Sequence, residues 1–144
     1  MRTVDARTGL EVLEREEAVR LLATQEIGRL GFESGGGLEI LPVNYVLDGE
    51  VVVFATADGA KLRGVAGSTV VFEVDEMDRT TRSGWSVVVH GRADQVTEHD
   101  SRELLDRARN LPLQPWADFP KPHLIRITPR FISGRRVRAT LPHG

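Results

Sequence analysis

A hydroxyl group and a basic side chain lie close together in the stretch "VFATADGAKLRGVAG", residues 53–67. The apolar run ends at Thr56, and Lys61 follows after a short polar turn. Residues 59–66 are predicted to form a short helix that begins near Asp58. Free N–H groups at its start, with the Thr56 hydroxyl and the Lys61 ammonium group, would bind an anion such as a phosphate. An alternative is that Thr56 only caps the helix and Lys61 is exposed to solvent.

A proline interrupts the apolar run "LPVNYVL", residues 41–47. Because Pro42 has no N–H to donate, its strand is predicted to be an edge strand, or to face something other than a neighbouring strand, such as a planar ligand. Asn44 lies two residues further on, and its amide can both donate and accept hydrogen bonds. A plain edge strand with one exposed asparagine explains the pattern equally well.

A tryptophan begins the alternating stretch "SGWSVVVHG", residues 83–91. Period-two alternation predicts two faces, one with Trp85, Val87 and Val89, and the other with Ser86, Val88, His90 and Arg92. The Trp85 indole could cover a ligand ring, although burial in a core or interface is the more common fate of tryptophan. The four histidines lack the close spacing of metal ligands. No phosphate-binding loop, nucleophile elbow or paired catalytic motif is present.

Short strands joined by tight turns dominate the rest of the chain. Helices are predicted at 14–25, 59–66 and 100–110, and strands at 27–33, 38–47, 51–56, 69–76, 84–96, and once or twice within 123–139. Short hairpin links predict antiparallel pairing. Six or seven strands with few helices to cover them tend to close into a barrel. There is no internal repeat or low-complexity segment, so one domain is expected over residues 1–144.

The composition narrows the function classes. The chain has 144 residues, 40% hydrophobic and 28% charged, which is typical of one globular domain. Without cysteine it has no disulfide and no thiolate metal site. No apolar run approaches the length of a membrane span, and the N-terminus lacks the apolar region of a secretory signal. A cytoplasmic protein without a membrane partner is therefore expected.

Basic residues are concentrated near the C-terminal end of the sequence. After Asp118 there are six basic residues and no acidic one, so the first 118 residues carry a net charge of −8. The basic segment would suit an anionic ligand or an acidic partner surface, although a solvated strand face is the simpler interpretation. Nucleic-acid binding is not expected, because the larger part is acidic and the basic part lacks interleaved aromatic residues beyond Phe131.

The order of these segments resembles the pyridoxamine 5'-phosphate oxidase-like family of flavin-binding proteins. The resemblance covers about residues 11–138 and rests on "GRLGF", "LPVNYVLDGEVVVFATADGAKL", "VVFEVDEMD", "SGWSVVVHGRADQV" and "FISGRR". It implies a mainly β (α+β) fold, a six- to seven-stranded antiparallel split β-barrel with short flanking helices. Within the family, the sequence is similar to the small actinobacterial-type members.

The resemblance also implies a homodimer with two flavin sites at the subunit interface. The residues implied to contact the cofactor are Pro42, Val43, Asn44, Tyr45, Phe54, Ala55, Thr56, Lys61, Trp85 and Ser86. The first four would lie along the isoalloxazine ring. Thr56 and Lys61 would hold the phosphate, and Trp85 would border the cofactor or the dimer seam. Trp116 and Arg126 are candidates for contacts from the partner subunit.

The activity that the resemblance implies is that of an FMN-dependent oxidoreductase acting on a small organic substrate. The chain is shorter than true pyridoxamine 5'-phosphate oxidases and lacks their basic C-terminal motif, so a different substrate is expected. One alternative is a deazaflavin-dependent reductase, in which the basic residues after Asp118 would bind the anionic cofactor tail. Another alternative is a protein that binds flavin or haem without catalysis.

Overall fold

The computed structural model describes residues 3–56, 64–96 and 123–138. These ranges contain one complete α-helix, α1, and eight β-strands, and residues 64 and 65 are also helical. The helix spans Arg15–Leu22, and the strands are β1 (Thr3–Val4), β2 (Glu11–Leu13), β3 (Ile27–Ser34), β4 (Gly37–Asp48), β5 (Val51–Thr56), β6 (Ser68–Asp78), β7 (Ser83–Gln95) and β8 (His123–Val137). The helix predicted at 100–110 lies outside the described residues, as does most of the one predicted at 59–66.

Six of the strands close into a barrel, which confirms the predicted fold class. Around the barrel the order is β8, β5, β4, β3, β6 and β7, and β7 pairs back onto β8. Every pairing is antiparallel. Strands β1 and β2, which were not predicted, extend the sheet beyond β8. With two and three residues each, they are too short for an alternating pattern to be recognised.

The last strand, β8, joins the two ends of the sheet. Its first part pairs with β5, its last part pairs with β2, and β7 runs along almost its whole length. The sequence left open whether this segment forms one strand or two, and the structure has a single strand. The register between β7 and β8 shifts between His90 and Gly91. The extra residue is Arg130 on β8, so the buried positions of β8 change from Ile125 and Ile127 before it to Ile132 and Gly134 after it.

The inward side chains of the strands form the core, which α1 covers at one end. Fully buried members include Leu30, Val52, Phe54, Phe72, Val74, Val87, Val89 and Ile127. From the helix, Ala18, Leu21 and Leu22 are buried. Both β2 and the helix approach β8 closely at Gly134. A Cβ added there would lie 3.0 Å from Leu13 Cδ1 on β2 and 3.3 Å from Ala18 Cβ on the helix.

The helix is shorter than the predicted 14–25. Glu14 is its N-cap, and the last helical residue is Leu22. The Thr24 N–H and hydroxyl both donate to the Leu21 carbonyl, at 3.0 and 2.7 Å, which ends the helical ladder. The Gln25 amide then donates to Glu76 on β6, at 2.6 Å. The helix therefore stops because the chain has to enter β3.

Candidate functional site

Among the described strands, β4 has a partner on only one edge along its first two thirds, and we call the other edge its free edge. Among the described residues, Gly37–Asn44 pairs with β3 alone, and pairing with β5 begins only at Tyr45, opposite Phe54. The Tyr45 N–H donates to the Glu26 carbonyl on the β3 side, at 3.0 Å. Because N–H directions alternate along a strand, the nitrogen of Pro42 points to the other side, the free edge. A proline fits there, since no ladder hydrogen bond is lost.

Asn44 and Ala55 lie beside this edge on the outside of the barrel. The β4–β5 register that pairs Tyr45 with Phe54 sets Asn44 opposite Ala55, one position further along. Both are half-buried, and neither belongs to the core cluster, while Pro42 on the same face of β4 is exposed. The edge therefore combines an amide, a small side chain and a flat pyrrolidine ring. Such a surface suits a planar ligand with polar edges.

The neighbouring residues on these strands point inward. Phe54 is fully buried, and Val43 packs against the core cluster. Tyr45 is 3% exposed, and its ring meets that of Phe72 edge-on, with the ring centroids 5.0 Å apart. Three of the residues that the resemblance implied as cofactor contacts thus have side chains in the core. The backbone groups of Val43 and Tyr45 also point to the β3 side, and Phe54 is paired with both of its neighbouring strands. A ligand at the free edge would therefore meet the backbone of Pro42 and Asn44.

The Tyr45 hydroxyl group joins β4 to the end of α1. It donates a hydrogen bond to the Leu22 carbonyl, one of the last carbonyl groups of the helix. Burial raises the pKa of Tyr45 above its usual value, so the phenol stays neutral. A neutral, enclosed phenol is a structural tie between strand and helix and not a general base.

We expect Tyr45→Phe to lower the free energy of unfolding by about 1–2 kcal/mol, because the Leu22 carbonyl loses its partner in a buried place. Urea denaturation followed by circular dichroism measures the change. The control is Thr69→Val, which removes an exposed strand hydroxyl and is expected to change stability by less than about 0.5 kcal/mol. An equal effect of the two variants would contradict the role of the buried hydrogen bond.

Thr56 ends β5, where it pairs with His123 of β8 and is half-buried. By alternation it follows Val52 and Phe54, so its hydroxyl emerges at the rim of the barrel. Lys61, Trp116 and the turn after Thr56 lie outside the described residues. The phosphate site that the sequence predicts therefore remains a prediction.

Trp85 and Ser86 lie elsewhere on the barrel. Trp85 points inward and is 8% exposed, beside a cleft of about 610 Å³ that Arg136 and Arg138 also line. Ser86 points outward and is half-buried. Between Asn44 and Ser86 lie strands β3 and β6, a separation of three strand spacings, or about 14 Å. Within a single chain, the predicted cofactor contacts on β7, Trp85 and Ser86, therefore lie apart from those at the free edge of β4.

Arg126 lies nearer to the free edge than the sequence indicated. On β8 it pairs with Val53 of β5, which sets it diagonally across from Ala55 on the outside of the same chain. Across its other side it pairs with Asp94 of β7. The sequence assigned Arg126 only to a contact from a partner subunit, because nothing local shows that β8 returns beside β5.

The arginines near the end of β8 are bound within the chain. Nitrogen-to-oxygen distances are 3.3 Å from Arg135 to Asp5, 3.0 Å from Arg136 to Glu17 and 2.9 Å from Arg138 to Glu11. Hydrogen bonds from Arg20 and Arg136 lower the pKa of Glu17 to about 2. These three arginines are therefore paired with acidic N-terminal residues of the same chain, and Arg138 keeps 51% of its side chain exposed to solvent.

The outward side chains of β4, β3, β6, β7 and β8 form two neighbouring rows, which we call the outer face. The first row, the apolar row, consists of Ile40, Gly31, Val71, His90 and Phe131, paired in register from strand to strand. Ile40 is 71% exposed and Phe131 57%, and the Phe131 and His90 rings lie 5.8 Å apart. An exposed apolar stripe across five strands is a mark of an interaction surface.

The second row of the outer face, the charged row, consists of Pro42, Arg29, Glu73, Val88 and Ser133. Arg29 Nη1 donates to Glu73 Oε1 at 3.0 Å and to Asp75 Oδ2 at 2.8 Å. Burial, together with the hydrogen bond and negative charge of Asp75, raises the pKa of Glu73 to about 7, against the opposing effect of Arg29. Glu73 is therefore partly protonated near neutral pH.

The described part of the chain contains neither a metal-binding cluster nor a membrane-spanning helix. Within it, no three histidine or acidic side chains are grouped closely enough to hold a metal ion. The helix found there is too short and too polar to cross a membrane.

Comparisons with known proteins give consistent matches. The family model described as pyridoxamine 5'-phosphate oxidase matches residues 14–136. An uncharacterized protein of Mycobacterium tuberculosis is 35% identical over 133 residues, which are 88% of this chain and 85% of that protein. A solved FAD binding protein from Mycobacterium smegmatis is 34% identical, with a TM-score of 0.76, covering 88% of this chain and 99% of that one.

A more distant solved structure has the same fold. The FAD-binding protein from Mesorhizobium loti superposes with a TM-score of 0.71 over 88% of this chain and 96% of that one, at 23% identity. At that identity the likeness concerns the fold alone.

Proposed function

Since the chain belongs to the pyridoxamine 5'-phosphate oxidase family, we propose that it is a homodimeric flavin-dependent oxidoreductase that binds FMN at the subunit seam and acts on a small organic substrate. The relative from Mycobacterium smegmatis, 34% identical over nearly its whole length, binds FAD, which supports a flavin for this chain. The observation that carries the proposal is the free edge of β4 beside Asn44 and Ala55.

The residues at the free edge fit an isoalloxazine ring. The ring is flat and apolar on its faces, with hydrogen-bonding atoms along one edge. Pro42 supplies a flat apolar contact, and the backbone groups on the same side of β4 point away from any described strand. The Asn44 amide can donate to an oxygen or accept from an N–H of the ring. Ala55 leaves room for close approach, while Val43 and Tyr45 place their side chains in the core and turn their backbone groups toward β3.

The phosphate end of the cofactor is assigned to Thr56 and Lys61. Thr56 is the last residue of β5, directly after Ala55, and lies at the rim of the barrel. A phosphate needs positive charge together with several N–H or O–H donors. Lys61 and the turn after Thr56 have those groups. Arg126, diagonal to Ala55, adds a second cation on the same side of the chain.

Two features of the chain support a second subunit at the cofactor site. Ser86 lies three strands away from Asn44, so one flavin contacts both only if a partner subunit contributes Ser86. The apolar row of the outer face also leaves Ile40 and Phe131 largely exposed. In a symmetric dimer the same surface is covered on both chains, which removes both patches from water.

The chemistry divides between cofactor and protein. A bound flavin supplies hydride and electron transfer. The chain binds and orients it: Asn44 holds the ring edge, Thr56 and Lys61 hold the phosphate, and the partner's surface excludes water. Tyr45 is neutral and enclosed, so it does not move a proton during turnover. The absence of an evident acid–base pair in the sequence agrees with this division.

Two alternatives share the same site. A deazaflavin reductase would need cations for the anionic cofactor tail, but Arg135, Arg136 and Arg138 are bound to Asp5, Glu17 and Glu11, which weakens that assignment. A protein that binds flavin or haem without turnover would need no substrate pocket. FAD in place of FMN would extend from the same phosphate site.

The visible absorption spectrum of the purified protein tests the proposal, with FMN, FAD, deazaflavin and haem then added in turn. We expect an oxidised flavin spectrum that survives dialysis, or tight uptake of FMN. Asn44→Ala is expected to weaken FMN binding about 5- to 10-fold, the worth of one or two neutral hydrogen bonds. The matched control is Gln25→Ala, an amide that faces Glu76 on the far side of β3.

Three outcomes would contradict the proposal. Uptake of deazaflavin or haem alone would move the cofactor assignment to that alternative. No uptake of any of the four would remove the oxidoreductase function. Equal losses of FMN affinity in Asn44→Ala and Gln25→Ala would show that the cofactor does not bind at the free edge of β4.

A further inference from the structure

We propose that dimer formation is linked to proton uptake, with Glu73 taking up a proton beside Asp75 when a second copy of this chain covers the outer face. The proposal rests on the homodimer proposed above and adds a form of regulation to it. It makes assembly of the cofactor seam respond to pH near neutrality. Its basis is an imbalance of charge at the centre of an otherwise apolar surface.

The imbalance follows from the geometry of three side chains. One guanidinium nitrogen, Nη1 of Arg29, serves both carboxylates, at 3.0 Å for Glu73 and 2.8 Å for Asp75. With both carboxylates ionised the cluster carries a net charge of −1. The carboxylates also approach each other closely enough to hydrogen-bond when one of them is protonated. A single proton therefore neutralises the cluster without breaking either contact to Arg29.

The groups that face Glu73 offer no further compensation. From β3 it faces Arg29, and along β6 it faces Asp75. From β7 the residue directly opposite is Val88, with His90 diagonal to it. One strand further away on each side, the charged row continues with Pro42 on β4 and Ser133 on β8, neither of which is charged. One position further along β8, Arg135 is bound to Asp5.

The apolar row and the charged row are adjacent, so a partner cannot cover one without the other. On β6, Val71 of the apolar row and Glu73 of the charged row are next neighbours on the same face. Covering Val71, which is 36% exposed, therefore removes water from Glu73. In a two-fold symmetric interface both copies bring the same cluster, so two net negative charges are desolvated together.

The sign of the linkage follows from that desolvation. Glu73 already has a pKa raised to about 7 in the single chain, and loss of water on association raises it further. The dimer therefore binds more protons than two separate chains. Association is strongest below the pKa of the free chain and weakens as the pH rises through the higher pKa of the dimer.

Sedimentation velocity at constant ionic strength, with the protein as purified, tests this inference. We expect the dimer dissociation constant to rise at least about tenfold between about pH 6 and about pH 8.5. Glu73→Gln imitates the protonated carboxyl group, and it should dimerise tightly at both pH values. Because histidines in general titrate near neutral pH, His90→Asn is the control, and it should keep the pH dependence of the unmodified chain.

A second measurement does not depend on any variant. The heat of dissociation on dilution, measured in two buffers of different ionisation enthalpy, reports proton release directly. We expect about half a proton released per chain at about pH 7, rising toward one as the pH passes above the pKa of the free chain. A dimer whose dissociation constant and heat are independent of pH and buffer would overturn the linkage and leave the dimer in place. A monomer at every pH would overturn the homodimer itself, and with it this inference. Loss of the pH dependence in His90→Asn would show that the histidine, and not Glu73, takes up the proton.

Discussion

Lys61→Ala is expected to weaken FMN binding by about 10- to 100-fold. A charge-assisted hydrogen bond to a phosphate contributes about 1.5–3 kcal/mol, and each 1.4 kcal/mol is a factor of ten in affinity. The expectation rests on the sequence, in which Lys61 follows Thr56 across one short turn. Quenching of flavin fluorescence on titration with protein measures the dissociation constant.

Riboflavin makes this experiment specific, because it has the same ring and no phosphate. Lys61→Ala should bind riboflavin as well as the unmodified protein does. Arg79→Ala removes the same charge from the exposed turn between β6 and β7 and should leave FMN binding unchanged. Full FMN affinity in Lys61→Ala would show that the phosphate lies elsewhere. A parallel loss of riboflavin would mean that Lys61 acts on the ring or on the fold.

Gly28→Ala is expected to lower the free energy of unfolding by about 2–3 kcal/mol, a large effect for one methyl group. A Cβ at this position would lie 2.2 Å from Phe72 Cζ and 2.7 Å from Phe72 Cε1. Phe72 is fully buried and packs against Tyr45, so the ring cannot move without displacing other core side chains. Urea denaturation without added flavin measures the change.

The same strand offers a matched control. At Gly31 of β3 the nearest atom to an added Cβ is the Val71 carbonyl oxygen, at 3.6 Å, which is an ordinary contact. Gly31→Ala should therefore be neutral or slightly stabilising. Combining Gly28→Ala with Phe72→Leu should cost less than the sum of the two single changes, since the smaller side chain frees the space. Strict additivity would contradict the steric explanation.

Much of the fold could be predicted from the sequence, because its signals are local. The alternation around Trp85, Val87 and Val89 correctly divides β7 into two faces, since side chains on a strand alternate whatever its neighbours are. Tight turns such as Asp48-Gly49 mark the hairpins and imply antiparallel pairing. Alternation fails for β4, because "LEILPVNYVL" is apolar at both parities and does not show that Tyr45 points inward and Asn44 outward.

The candidate site was predictable only in part. Pro42 correctly indicated an edge, because its missing N–H is a local chemical fact. The sequence could not show that, in the described part of the chain, β4 has two neighbouring strands at Tyr45 and one at Pro42, which depends on where β5 stops pairing. Nor could it show that Phe54 is a core residue while Ala55, beside it, faces outward at the rim.

By itself, then, the sequence determined the six barrel strands, the barrel class, the family and the polar positions along β4 and β5. Only the tertiary structure decided how distant charges pair. Arg135 meets Asp5 across 130 positions of sequence, and Arg29 meets Glu73 and Asp75 across 44 and 46. Alternation, turn chemistry and capping act over a few residues. These ion pairs require side chains from remote segments to lie within about 3 Å of each other, and only the pairing of distant strands brings them there.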